Sequence, residues 1–160
     1  MSRRGLAGAT LVAILVVAAD QASKAWATAR LTPEQRVTVL PGWLWFRLLK
    51  NSGATFSVLR GHNLLFAVAT LLVVVAIMVI LLRGYVSDLL SIIALGAVGG
   101  GAVGNLLDRI RIAGVTDFIQ IRVWPTDFNL ADVAIRLGVL SLLVGVGLEQ
   151  LRRRRESRSA

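Results

Sequence analysis

The chain has no cysteine and a single histidine, His62. Without cysteine there is no disulfide framework, no thiolate metal site and no cysteine nucleophile. One histidine excludes a multi-histidine metal centre, and any Ser-His hydrolase would have to be built on His62. That residue reads more simply as the start of a helix at a membrane interface. Acidic residues are also scarce, 9 against 18 Lys and Arg, for a net charge of +9. Nucleic-acid binders carry an excess of this kind, but here Arg3, Arg4, Arg152 to Arg155 and Arg158 flank apolar runs. Juxtamembrane basic clusters resting on anionic headgroups are placed in this way. Hydrophobic residues, by contrast, make up 56% of 160 positions, and mean hydropathy is +0.71. That share is far above the soluble norm and, at this length, describes one membrane-embedded domain, residues 1–160.

Four apolar runs are long enough to span, at about 6–30, 63–82, 89–107 and 133–151. In the first, Val17-Ala18-Ala19 has the form of an export-signal cleavage site. Helical character nevertheless continues without proline to Arg30, about 36 Å at 1.5 Å per residue, so an uncleaved first span is expected. Asp20 and Lys24 fall one turn apart near its end, either as a structural ion pair or as part of a site. Residues 36–58 hold β-leaning pieces, VTVL, WLWFRLL and ATFSVL, broken at Pro41-Gly42 and Asn51-Ser52-Gly53. They are expected to form a small antiparallel sheet on the membrane surface, with Trp43, Trp45 and Phe46 either at headgroup level or packed inside. Gly96, Gly100 and Gly104 recur every four residues in the third run, a spacing that lets helices approach closely.

Four spans put both termini on one side, and the arginine cluster after the last span anchors them in the cytoplasm. Span parity then brings Asp20, Lys24, Asp108, Arg109, Asp117 and Asp132 to the opposite, extracytoplasmic face, with Trp26, Trp43, Trp45 and Trp124. Asp132 opens the last span three residues after Asn129, a good N-cap, in the first turn where the helix dipole favours negative charge. Two readings of Asp117 and Asp132 are open. They are a turn acid and a helix-start acid, or they are the working pair of an intramembrane aspartyl protease, with one carboxylate activating water and the other, protonated, donating to the scissile carbonyl. A Ser23-Lys24 dyad is disfavoured because neighbours on a helix point apart. Asp127 is expected to lie outside the pair. An alternative from another class is a small proton or ion transporter using the intramembrane acids as a relay.

Five motifs stand in order along the chain: Asp20-Gln21 with Lys24; Asn51-Ser52-Gly53-Ala54-Thr55-Phe56; Gly100-Gly101 through Gly104-Asn105 to Asp108-Arg109; Val115-Thr116-Asp117-Phe118; and Phe128-Asn129-Leu130-Ala131-Asp132. Together they resemble the lipoprotein signal peptidases, also called signal peptidase II, from first span to last. The resemblance implies an all-α polytopic membrane protein with four transmembrane helices and a small extracytoplasmic antiparallel β-sheet, or β-cradle. It implies an aspartic-type peptidase that cleaves before the diacylglyceryl-modified cysteine of bacterial prolipoproteins, with Asp117 and Asp132 catalytic. Asp20, Lys24, Asn51, Gly101, Asn105, Arg109, Asn129 and Ala131 are implied as supporting or substrate-contacting residues. The expected partners are the lipidated precursor and anionic membrane lipids. No metal, cofactor or nucleic acid is expected, and the chain is expected to act as a monomer in the bacterial cytoplasmic membrane. Arg136, one turn after Asp132, departs from the uncharged residue expected there. It either faces Asp132 and favours its ionised form or snorkels outward.

Overall fold

The computed structural model describes residues 3–33, 35–52 and 62–159, with side chains of the last helix described to residue 148. The order of elements is α1 (Arg3–Arg30), β1 (Val37–Leu40), β2 (Leu44–Asn51), α2 (Asn63–Arg83), α3 (Leu89–Ile112), β3 (Val115–Ile121) and α4 (Leu130–Ser159). All four helices are long and apolar enough to cross a membrane. Each contains the apolar run expected of it: α1 is unbroken through the Val17-Ala18-Ala19 stretch, and α3 extends beyond Leu107 to Ile112.

The third helix is the hub. It packs against α1, α2 and α4, and 61% of its apolar window is buried, against 11% in each of the others. Its glycines make that possible. A Cβ at Gly96 would lie 2.6 Å from Ala9 O, and one at Gly100 would lie 2.7 Å from Ala13 O, so the α1 backbone occupies the space a side chain would need. Gly101, on another side of α3, does the same for α4, where Ala131 O stands 2.6 Å from its would-be Cβ. Away from this seam the helices show Leu, Val and Ile outward, as a lipid-facing surface requires. At the α2–α3 turn, Gly84 closes α2 in the left-handed region at φ 72°, and the Asp88 side chain accepts from Ser91 N at 2.8 Å to cap α3.

The sheet is antiparallel, in the order β1-β2-β3. The first two strands are the expected VTVL and WLWFRLL pieces. The expected third piece, ATFSVL, together with Gly53 to Phe56, lies outside the described residues. The third strand observed is instead β3, and Asp117 sits within it, paired across to Leu49. Pairing β3 with β2 joins two stretches more than sixty residues apart, which local pattern does not report. Between Phe46 and Leu49 on β2 the partner shifts only from Ile119 to Asp117, so β2 carries one extra residue there. Phe46, Phe118 and Trp26 meet edge to face at centroid distances of 5.4 to 6.3 Å and fasten the sheet to α1. Phe46 is half-buried in this cluster, whereas Trp43 stays exposed.

Candidate active site

A buried polar cluster lies where the ends of α1 and α3 meet the start of α4 and the strand β3. Its foundation is a lysine between two acids. Lys24 Nζ stands 2.8 Å from Asp20 Oδ2 and 3.1 Å from Asp108 Oδ2, all three side chains less than a tenth exposed. Such a pair is tolerated away from water only when the remaining hydrogen-bonding capacity is used. Here it is: Asp20 Oδ1 accepts from Ala131 N at 2.9 Å, Asp108 Oδ2 from Thr116 N at 2.9 Å, and Lys24 Nζ donates to Asn105 Oδ1 at 3.1 Å. A carboxylate from α1 thus satisfies an N–H that the first turn of α4 leaves unbonded, and one from α3 anchors the start of β3. Gln21 adds donations to Asp108 Oδ1 and Gly104 O, both at 3.2 Å. Ser23 Oγ donates to Asp20 O at 2.8 Å, which commits that hydroxyl to its own helix.

Two asparagines carry this frame to the acids. Asn129 Oδ1 accepts from Asp132 N at 3.0 Å, the N-cap bond expected of that spacing, while its Nδ2 donates to Asp117 Oδ1 at 2.7 Å. One fully buried side chain therefore caps α4 and holds Asp117. Asn105 Nδ2 donates to Asp132 Oδ1 at 2.9 Å, and its Oδ1 accepts from Lys24 and Asn129. From β2, Asn51 Nδ2 donates to Asp117 Oδ2 at 2.9 Å. Asp117 is only 2% exposed, and this burial pushes its carboxyl up from 3.8 to about 7. The charge of Asp132 pushes the same way, opposed by the hydrogen bonds from Asn51 and Asn129 and by the charge of Lys24.

Asp117 and Asp132 line one cavity of about 260 Å³, with Asn51, Asn105 and Arg109 among its walls. Arg109 donates to Asn105 O at 3.4 Å and lies over the Phe66 ring. Of the ten residues singled out from sequence, Asp117, Asp132, Asn51, Asn105 and Arg109 line the cavity. Asp20, Lys24, Asn129 and Ala131 are buried behind it, and Gly101 lets α3 and α4 approach. Arg136 is exposed and stacks over Trp124 at 4.6 Å and Phe128 at 5.2 Å, at the cavity edge. Aromatic faces thus brace its guanidinium at the edge of the cavity that Asp132 also lines. Among the described residues no three His, Cys, Asp or Glu side chains gather as metal ligands would. A roomier apolar groove of about 500 Å³ between α1, α2 and α3 shares no residue with the site.

Sequence reasoning set Asp127 outside the pair. It is 7% exposed, it lines the same cavity, and Arg47 of β2 reaches it through Nε at 3.0 Å and through Nη2. The signal was weak, because Arg47 and Asp127 are brought together only by the β2–β3 pairing. The loop after β3 folds back on that strand, with Phe128 N donating to Ile119 O at 3.0 Å and Ile119 N to Phe128 O at 2.9 Å. This return sets Asp127 and Asn129 beside Asp117.

The family described as Signal peptidase (SPase) II matches residues 12–147. A protein of Syntrophomonas wolfei named lipoprotein signal peptidase is 39% identical over 92% of this chain and 95% of its own length. One of the same name from Gloeobacter violaceus is 40% identical over 84% of this chain and 79% of its own. Among solved structures, a bacterial membrane enzyme determined by the in meso method at 2.3 Å superposes with a TM-score of 0.83 at 25% identity, covering 89% of this chain and 88% of that one. Another, at 1.9 Å, gives 0.79 at 26% identity, covering 86% and 91%. The span of these matches and the four apolar helices make the chain a multi-pass bacterial membrane peptidase, and it belongs to the signal peptidase II family.

Proposed function

We propose that the chain is an intramembrane aspartyl endopeptidase that removes the signal peptide from diacylglyceryl-modified prolipoproteins, cutting on the amino side of the lipidated cysteine, with Asp117 and Asp132 as the catalytic pair. The observation that carries this reading is that the two acids line one cavity and their carboxylates are linked through the side chains of Asn129 and Asn105, with the buried Asp117 raised to about 7. That elevation supports a proton on Asp117 up to about neutral pH. Asp132 stands in the first turn of α4, where Asn105 Nδ2 donates to its Oδ1 at 2.9 Å.

The chemistry follows from those states. Ionised Asp132 takes a proton from water as its oxygen bonds to the scissile carbonyl carbon, and Asp117 gives its proton to the carbonyl oxygen. Collapse of the tetrahedral adduct breaks the C–N bond. The leaving nitrogen takes the proton from Asp132, and Asp117 recovers its own from the adduct's hydroxyl. No metal enters any step. The buried network of Asp20, Lys24, Asp108 and the two asparagines fixes both acids before substrate arrives, the preorganisation on which electrostatic catalysis depends. That network is gathered at one end of α1, α3 and α4, which favours a peptidase site over a relay crossing the bilayer.

The test is cleavage of a purified lipidated precursor. The parent should cut it and leave an unlipidated precursor largely uncut, since buried acyl chains supply binding at up to about 0.8 kcal/mol per CH₂. Asp117→Asn, Asp132→Asn and the double variant should insert normally and all be equally inactive, because members of one catalytic unit are non-additive. Substantial turnover by either single variant removes the pair.

A further inference from the structure

Arg136 is a cation inside a membrane span, on α4 one turn past Asp132, and it takes no part in the proposed hydrolysis. A charge at such a position is costly unless something compensates it. Helical side chains lean toward the amino end of their helix. Arg136 does so: its guanidinium lies 4.6 Å from the ring centroid of Trp124 and 5.2 Å from that of Phe128, both in the segment that leads into α4. Two rings hold it in place, which removes in advance much of the side-chain freedom that binding would cost. The side chain is nevertheless exposed, and it lines the same cavity of about 260 Å³ as Asp117 and Asp132. The ion pairs among the described residues use Lys24 and Arg47 and leave Arg136 out. Phe66 of α2 lines the cavity too, which places it between the first turns of α2 and α4. Those two helices pack on α3 and make no extensive contact with each other.

We propose that Arg136 is a substrate-binding residue that reads the lipid of the precursor, donating hydrogen bonds to the ester carbonyl oxygens of its diacylglyceryl group. The chemistry of the precursor names the acceptor. Cleavage on the amino side of the cysteine puts the scissile bond at that residue's own nitrogen, so only the cysteine side chain and one glycerol separate the bond from the two esters. Arg136 follows Asp132 by about 6 Å along the helix axis, a distance such a linker spans. The acyl chains continue from the esters into the bilayer, through the gap between α2 and α4 on whose rim Arg136 stands. Ester carbonyls only accept and a guanidinium only donates. Its planar fork can serve both carbonyls in one geometry, which a lysine ammonium does not fix. A phospholipid phosphate is the rival acceptor, and it would have to leave the gap whenever the substrate's own chains entered.

The inference rests on the proposed peptidase function, and its test separates the two. Two precursor peptides carry the same chains on the same cysteine, joined to glycerol by esters in one and by ethers, which lack the carbonyls, in the other. Both are assayed in zwitterionic detergent with the parent, Arg136→Leu and Arg136→Met, the second serving if the first fails to insert. The parent should show a KM about tenfold higher for the ether substrate, as expected for hydrogen bonds to a charged group. Each variant should give the two substrates the same KM within about twofold, close to the parent's value for the ether form. A purely structural role for Arg136 would weaken both substrates alike and leave the preference for the ester in place. That result, or a parent that cleaves both forms equally well, overturns the inference and leaves the peptidase reading standing. Adding an anionic phospholipid covers the rival. If Arg136→Leu changes KM only in its presence, and equally for both substrates, the guanidinium holds a headgroup phosphate and the inference falls. If the parent cleaves neither lipidated form, both readings fall.

Discussion

Asp117 is where residue chemistry and environment are most closely joined. Its carboxyl is raised from 3.8 to about 7 chiefly because it is out of water. A carboxyl whose pKa is higher folded than unfolded binds more protons when folded, so stability is full below the unfolded value and declines until pH passes the folded one. The protein should therefore be most resistant to heat in detergent near pH 4 on this account and lose, on the order of, 4 kcal/mol by pH 8. Asp117→Asn keeps the shape and has no charge to bury. Its melting temperature should exceed the parent's at pH 8, and the gap should narrow as pH falls toward 4. Activity should follow the same proton. If Asp117 must donate, kcat/KM declines as pH rises through about 7, measurable with the lipidated precursor at fixed ionic strength. A flat profile from pH 6 to 9 would count against Asp117 as the donor.

At the scale of elements, the site depends on how closely α1 and α3 meet. A Cβ at Gly104 would lie 2.5 Å from Asp20 Oδ2, the oxygen that receives Lys24. Gly104→Ala must either push the helices apart or displace Asp20, and with it the anchor on Ala131 N. Overpacking of this kind costs about 1–3 kcal/mol, and here activity should fall at least tenfold, because the start of α4 moves with Asp20. Gly147, on α4, has nothing within 4 Å of its would-be Cβ. Gly147→Ala should keep activity and match or slightly exceed the parent's melting temperature, since alanine favours helix over glycine by up to about 1 kcal/mol. Thermal midpoints and cleavage rates of the two variants, measured side by side, check the contrast. The bulge in β2 acts at the same scale, because it places Arg47 against Asp127 while Asn51, further along the strand, reaches Asp117.

For the whole molecule, four spans put the two termini on one side and the acid cluster toward the other. We propose, from the arginines after the last span and the positive-inside tendency, that the termini are cytoplasmic. Alkaline phosphatase fused at Gln120 should be active and at the carboxyl terminus silent; the reverse result would invert the orientation. Much of this architecture was legible in the residues. Apolar runs of membrane length need no partner to identify them, because in lipid every backbone polar group must be bonded within its own helix. The four-residue glycine spacing and the Asn129–Asp132 cap are likewise local patterns, and both are found in the fold. What local pattern could not supply was the company each group keeps. Asp117 lies inside a strand because β3 pairs with a segment more than sixty residues earlier, and Asp127 and Arg47 meet only through that pairing. Arg136, which sequence left between facing Asp132 and turning outward, is braced by the rings of Trp124 and Phe128 at the edge of the cavity that Asp132 lines. The sequence by itself determined which segments enter the membrane and which acids stand at its boundary, since hydrophobicity and helical period act over neighbouring residues. Only the tertiary structure decided which carboxyl is deprived of water and which asparagines hold it, since burial and hydrogen bonding belong to contacts between distant parts of the chain.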